Sequence, residues 1–319
     1  MAPSCHIRAM SAAPPRTPTA APDDILVFDR RAVARNRARA ATGLAAHDFL
    51  FREIAERMID RIEDVNRRFP LTLDLGCHDG VLGRLLGATG RIDTLVSADL
   101  SPAMARRAGG LALAADEEWL PFAGGSFDLI ASAGSLHWVN DLPGSLVQIR
   151  DVLKPDGFFV ASLIGGGTLT ELRQAFLAAE ARVEGAASLH VSPFVDLRDA
   201  AGLMQRAGFA MPVVDLETIT VTYGDVFGLM RDLRGMGEQN ALAARRRRPL
   251  RRETILALAE EYRDRFADAD GRIPATFEIV TLSGWAPGEG QPVAKRRGSA
   301  THRLADALGT VEVPAGEKP

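Results

Sequence analysis

Apolar residues at Phe51, Ile54, Ala55, Met58, Ile62 and Val65 fall three and four apart, the spacing of one helix face, and Pro70 stops the pattern. The next apolar run, over 71–75, is short, ends at Gly76 and predicts a buried parallel strand. Strands and helices then alternate. A helix starts over 81–86 and a strand follows over 94–100. Ser101 and Pro102 supply a cap and a first-turn proline for the next helix. Strands over 111–115 and 127–135, a helix over 142–153, a turn at 154–157 and a strand over 158–163 complete this half. Beyond Gly165 the pattern predicts helices over 168–184, 196–207, 225–234 and 253–266, and strands over 213–223 and 276–285. The expected fold is α/β, a mostly parallel seven-stranded sheet with helices on both faces.

Residues 1–24, rich in Pro, Ala and Thr, read as a disordered tail, and 289–319 as a loose polar one. Between them lies one domain over 25–288, with a cofactor half near 71–163 and a substrate or lid half near 164–288. The first 22 residues carry Arg8 and Arg16 and no acid, which fits a plain tail, a start at Met10 or a transit peptide. A net charge of −3 gives no global reason to expect nucleic acid. Arginines cluster at Arg30, Arg31, Arg35, Arg37 and Arg39, read as the wet face of an N-terminal helix. A second cluster spans 245–252, read as a solvated loop, with an acidic carrier or a peripheral membrane contact as the alternative. No apolar run reaches the ~20 residues of a membrane-spanning helix. Cys5 and Cys77 do not suggest a structural disulfide, so a reducing compartment is expected.

The chemistry sits at Asp74-Leu75-Gly76-Cys77-His78-Asp79-Gly80, between a strand and a helix. Glycines there let a backbone approach a ligand at a switch point of the sheet. Asp99 ends the next strand, where a carboxylate can accept both ribose hydroxyls of an adenosine cofactor. A dinucleotide site would need glycines at 76, 78 and 81, but the chain has His78 and Val81. The acid-x-G-x-G-x-G pattern of class I methyltransferases is met at Asp74, Gly76 and Gly80 and missed only at His78, whose side chain either turns away or crowds the cofactor. Asp116-Glu117-Glu118-Trp119-Leu120-Pro121-Phe122 resembles the D-x-x-x-L-P-F segment of that superfamily, whose Asp bonds adenine. The implied cofactor is S-adenosyl-L-methionine on a Rossmann-like class I fold. Its expected contacts are Asp74, Gly76, Cys77, Gly80, Asp99, Leu100, Asp116, Glu117 and Ser135.

A closer resemblance rests on Phe28-Asp29-Arg30, Ser135 to Asp141, Thr168 to Arg173, Val191-Ser192-Pro193-Phe194, Gly235-Met236-Gly237-Glu238, Pro274-Ala275-Thr276 and Arg297-Gly298-Ser299-Ala300. Together they resemble the methyltransferase-like assembly factor family of respiratory complex I. That resemblance implies a complex I subunit as partner. It implies either methyl transfer, arginine hydroxylation or a non-catalytic assembly role. It places the protein in a bacterial cytoplasm, or in the mitochondrial matrix if the source is eukaryotic. The malonyl-acyl-carrier-protein methyltransferases are a more distant likeness.

His137 is the expected base by position, weighed against a packed histidine bonded to backbone, and Trp138 is read as a lid or core aromatic that could stack a guanidinium. Glu171 and Glu238 could receive a substrate arginine, against the simpler role of surface ion pairs. His137, Asp141 and His190 have the residue types of a facial metal triad but not its spacing, and no metal is expected.

Overall fold

The computed structural model describes residues 26–194, 197–292, 299 and 301–311. The expected tail over 1–24 lies outside the described residues, as do Cys5 and most of the 297–300 motif. Helix α1 (Arg30–Ala40) and α2 (Phe49–Glu63) precede the sheet. Then come β1 (Phe69–Leu75), α3 (Val81–Ala88), β2 (Ile92–Asp99), α4 (Pro102–Ala108), β3 (Leu111–Ala114), β4 (Phe127–Ala133), α5 (Leu142–Val152) and β5 (Leu153–Ile164). The second half runs α6 (Thr170–Glu184), α7 (Leu197–Arg206), β6 (Ala210–Tyr223), α8 (Val226–Met236), α9 (Arg252–Phe266), β7 (Ile273–Trp285) and a short α10 (Leu304–Leu308) within the expected loose tail.

One seven-stranded sheet forms in the order β3-β2-β1-β4-β5-β7-β6. β7 runs antiparallel to both its neighbours, and the remaining pairings are parallel. Strand order reverses between β1 and β4, so the loops after these two strands share a crevice. Alternation along buried strands fills both faces. Leu129, Ala131 and Val160 join α2, α6, α8 and α9 on one side, while Ile130, Phe159 and Ala161 join α5 and α7 on the other.

Two local expectations change. Lys154 to Gly157 is not a turn between elements but the bulged start of β5, where Phe127 pairs with Leu153 and Leu129 with Phe158. Asp156 takes a left-handed φ of 61° and absorbs that irregularity. Pro70 lies inside β1 rather than beyond a helix, near the strand start, where a missing N–H costs least.

Candidate active site

The turn after β1 is built for close contact. Gly76 has φ 71°, and a Cβ there would fall 2.1 Å from the Ser135 side chain on the loop after β4. Gly80, with φ 85°, would meet the Ala108 backbone at 2.9 Å. β2 delivers Asp99 to the same crevice, fully buried. Asp99 accepts from the amides of His78 at 3.1 Å and Ser101 at 2.7 Å, so its carboxylate is fixed by the backbone on both sides. Glu117, also fully buried, accepts from Ser135 Oγ at 2.5 Å, and Asp116 is partly exposed beside it. Six expected contact residues, Asp74, Gly76, Cys77, Asp99, Glu117 and Ser135, are thus brought together around the end of β1. Leu100 lies to one side, packed with Phe28, Ala32, Val33 and Trp138 under α1.

Helix α1 is the unexpected part of this site. Its arginine run is only half a wet face: Arg31, Arg35 and Arg39 are exposed, but Arg37 is fully buried and Arg30 mostly so. Arg37 donates to Asp99 at 3.3 Å, to Glu117 at 3.1 Å and to Ser135 Oγ at 2.8 Å. Arg30 donates to Asp116 at 2.6 Å, to the Trp138 carbonyl at 3.2 Å and to Glu117. These two guanidiniums bind the acids that the sequence assigned to ribose and adenine. Against the penalty of burial, Arg30 and Arg37 hold the Glu117 carboxyl down at about 2. The sequence carries a signal for this. Arg30, Val33, Arg37 and Ala40 recur at helical spacing, so both arginines stand on the apolar stripe and not opposite it. The Phe28-Asp29-Arg30 motif anchors the helix. The Phe28 backbone pairs with the Asn140 side chain, Asp29 caps α1 at Ala32 and pairs with Arg245, and Arg30 reaches the acids.

His78 takes φ 50°, and its ring turns onto Phe51 with centroids 4.1 Å apart, while Nε2 lies 3.2 Å from the Gly134 carbonyl. Burial and the nearby Arg37 charge lower its pKa, so the ring is neutral and Nε2 donates to that carbonyl. The side chain absent from the usual pattern therefore packs against α2, and only its amide serves Asp99. Cys77 is a buried filler whose thiol is pushed up by burial and by Asp74 and Asp99.

Asp74 is fully buried, and neither oxygen has a hydrogen-bonding partner of good geometry. Burial pushes its carboxyl from 3.8 up to about 7, against a weak pull from the Gly83 amide. A carboxyl raised on folding stabilises fully below its unfolded pKa, and that contribution is lost as pH rises through the folded value. Stability measured by denaturant unfolding should therefore carry a falling component between about pH 4 and 7. Asp74→Asn should remove that component, and an identical pH slope in the variant would contradict the assignment.

Beyond β4, a 3₁₀ turn (Leu136–Trp138) places two buried rings under the second half of the chain. His137 Nε2 lies 3.0 Å from Glu238 Oε2, and Trp138 Nε1 donates to the same oxygen at 2.7 Å. His137 is thus held by a carboxylate rather than by backbone. Gly237, with φ 83°, ends α8 against the Arg37 backbone and so sets Glu238 over the crevice. Phe194 closes edge-on to both rings, at 5.4 Å from His137 and 6.0 Å from Trp138. Trp138, Glu238 and Phe194 border a cavity of about 600 Å³ walled by Leu172, Phe176, Met230 and Leu233.

Other expectations separate. Glu171 accepts from the Thr276 amide at 3.3 Å and from its hydroxyl, so it ties α6 to β7 and is no arginine receptor. His190 pairs with Glu180, Asp141 caps α5 at Gly144, and His137 pairs with Glu238, so the three do not form one ligand set. Among the described residues no group of three His, Cys, Asp or Glu could hold a metal. In the 245–252 block, Arg245 and Arg246 are paired to Asp29 and Glu184, while Arg247, Arg248, Arg251 and Arg252 are exposed. No described helix is long and apolar enough to cross a membrane.

Residues 73–161 match the family model described as a methyltransferase domain. The chain is 40% identical over 306 residues to the human mitochondrial arginine-hydroxylase NDUFAF5, spanning 93% of this chain and 88% of that protein. It is 34% identical over 288 residues to a malonyl-[acyl-carrier protein] O-methyltransferase of Gallionella capsiferriformans, spanning 86% of this chain and 96% of that one. Phosphoethanolamine N-methyltransferase 2 of Haemonchus contortus, solved with phosphomonomethylethanolamine and S-adenosylhomocysteine, shares the fold. Its TM-score is 0.51 at 14% identity, over 82% of this chain and 61% of that one. With its sheet order, its crevice of fixed carboxylates and this full-length likeness, the chain is a methyltransferase-type enzyme that belongs to the NDUFAF5 arginine-hydroxylase family.

Proposed function

We propose that this enzyme binds S-adenosylmethionine in the crevice between β1 and β4 and modifies a side chain of a protein partner, a complex I subunit by family resemblance. The observation that carries the reading is the backbone-fixed Asp99 at the end of β2, facing the glycine turn and joined by Glu117 and Asp116. These groups suit an adenosyl ligand, with Asp99 toward the ribose hydroxyls and Asp116 toward the adenine amino group. Arg37 has to give up Asp99 for that to happen, since a carboxylate so placed cannot satisfy guanidinium and ribose together. The cofactor, when bound, supplies an electrophilic methyl group on a sulfonium.

The chain's own residues would align the acceptor and exclude water. His137 is the candidate base by position: its Nε2 is paired with Glu238, and its Nδ1 is buried without a hydrogen-bonding partner. Hydroxylation of an arginine is the second reading, favoured by the name of relatives 40% identical over most of the chain. Mass spectrometry of the candidate subunit, co-expressed with wild-type enzyme or with Asp99→Ala, separates the outcomes. A gain of one methylene lost in the variant supports methyl transfer, and a gain of one oxygen supports the second reading. No change with wild-type enzyme would overturn both and leave an assembly role.

A further inference from the structure

Six exposed arginines gather in the second half of the chain. Arg231 and Arg234 lie on α8, and Arg247, Arg248, Arg251 and Arg252 belong to the segment that leads into α9. Among the described residues none of the six forms an ion pair, unlike Arg245 and Arg246 beside them. Arg231, Arg234 and Arg248 border the same cavity of about 600 Å³, so the two segments meet at its rim. The 245–252 run is not a loose solvated loop. Arg245 is tied to Asp29 at 2.8 Å, Arg246 to Glu184 at 2.6 Å, and Leu250 packs against the core. Arg247 and Arg248 thus stand between anchored positions, and their charges are presented from a fixed backbone. On α8, Phe227, Arg231 and Arg234 follow one another four and three residues apart on one face, and Phe227 is 41% exposed. Neighbouring acids do not neutralise the patch. Asp225 caps α8 at Gly228, Asp232 pairs with His47, and Glu184 is shared by Arg246 and Thr254. Glu253 sets one negative charge beside six positive ones. Guanidiniums so gathered repel one another and raise a positive field over the cavity, which an anionic partner would relieve.

We propose that this rim is a docking surface for an acidic segment of a protein partner, whose carboxylates pair with Arg231, Arg234 and Arg248 while an apolar side chain beside them covers Phe227. The inference rests on the reading that the enzyme acts on a protein, and it adds where that protein is gripped and what it offers there. A guanidinium fork suits a planar carboxylate, which it binds through two parallel hydrogen bonds. The rim is concave, so a polypeptide segment can enter between α8 and the segment before α9, where a flat bilayer surface reaches only the outermost charges.

Fluorescence anisotropy with the full-length protein tests this with two labelled peptides, one of aspartate, glutamate and leucine and one with the acids replaced by asparagine and glutamine. Vesicles of phosphatidylglycerol in phosphatidylcholine serve as the bilayer probe. The acidic peptide should bind saturably, at least about tenfold more tightly than the amide peptide, and should weaken as salt rises from about 0.05 to 0.3 M. Arg231→Ser with Arg234→Ser and Arg248→Ser should lose at least about tenfold in affinity and most of the salt dependence. Arg106→Ser with Arg107→Ser and Arg263→Ser removes the same charge from exposed positions elsewhere and should bind as the wild-type protein does. Equal binding of the two peptides overturns the proposal, and so does an equal loss in the two triple variants. Absence of saturable peptide binding up to about 1 mM, or binding to the vesicles in preference to the peptide, overturns it as well. The peptide and vesicle comparisons need no variant, so they stand even if a triple variant fails to fold. Titration with S-adenosylhomocysteine is run separately on the same preparation. If it binds and the acidic peptide does not, this inference fails while the cofactor reading survives; if the peptide binds at the rim and the nucleoside does not, the reverse holds.

Discussion

Arg37→Met should lower the unfolding free energy by about 3–5 kcal/mol, the cost of removing one partner from a buried ion-pair group. Arg37 is fully buried and bridges Asp99, Glu117 and Ser135. Methionine fills much of the volume but leaves Asp99 without a cation and Glu117 with Arg30 alone. Chemical denaturation of the protein without cofactor measures the loss. The same variant should bind S-adenosylmethionine no more weakly than wild type, because ribose hydroxyls would meet Asp99 without first displacing a guanidinium. Lower stability with undiminished affinity marks Arg37 as a stand-in for the ligand. A change within about 0.5 kcal/mol, the range of ordinary surface substitutions, would show that Arg37 is solvated and the site open.

Asp99→Ala should weaken cofactor binding by about 3 kcal/mol, on the order of 100-fold, since it would remove the two charge-assisted bonds proposed to the ribose. No neighbour can replace it: the amides of His78 and Ser101 that fix Asp99 are donors, and Glu117 is already engaged by Arg30, Arg37 and Ser135. Asp116→Ala should cost less, because that side chain is partly exposed and water can substitute. An affinity for Asp99→Ala equal to wild type would remove the cofactor from the end of β2.

Asp99, Gly76 and Gly80 were legible in the sequence because each answers a local demand. A strand must end, a turn must take positive φ, and a carboxylate must stand one strand away. The sheet was legible for the same reason, since buried strands are short apolar runs between turn signals. Arg37 was not, because a charged residue inside an apolar helix stripe looks like the edge of a polar face until its partners are known. Those partners, Asp99, Glu117 and Ser135, lie 62 to 98 residues away, a distance periodicity does not bridge. His78 breaks a pattern in sequence yet no packing in space, because Phe51 from α2 gives its ring a place. Glu238 reads as one acid after a helix-ending glycine. Only the fold brings it 100 residues back to Trp138 and 101 to His137.

Calorimetric titration of the purified protein with S-adenosylmethionine and, in parallel, S-adenosylhomocysteine tests the central claim most directly. Saturable binding of both in the micromolar range, lost in Asp99→Ala, is the predicted result. Absence of binding by both would mean that Arg30 and Arg37 keep the acids for themselves, and that this crevice is not a cofactor site.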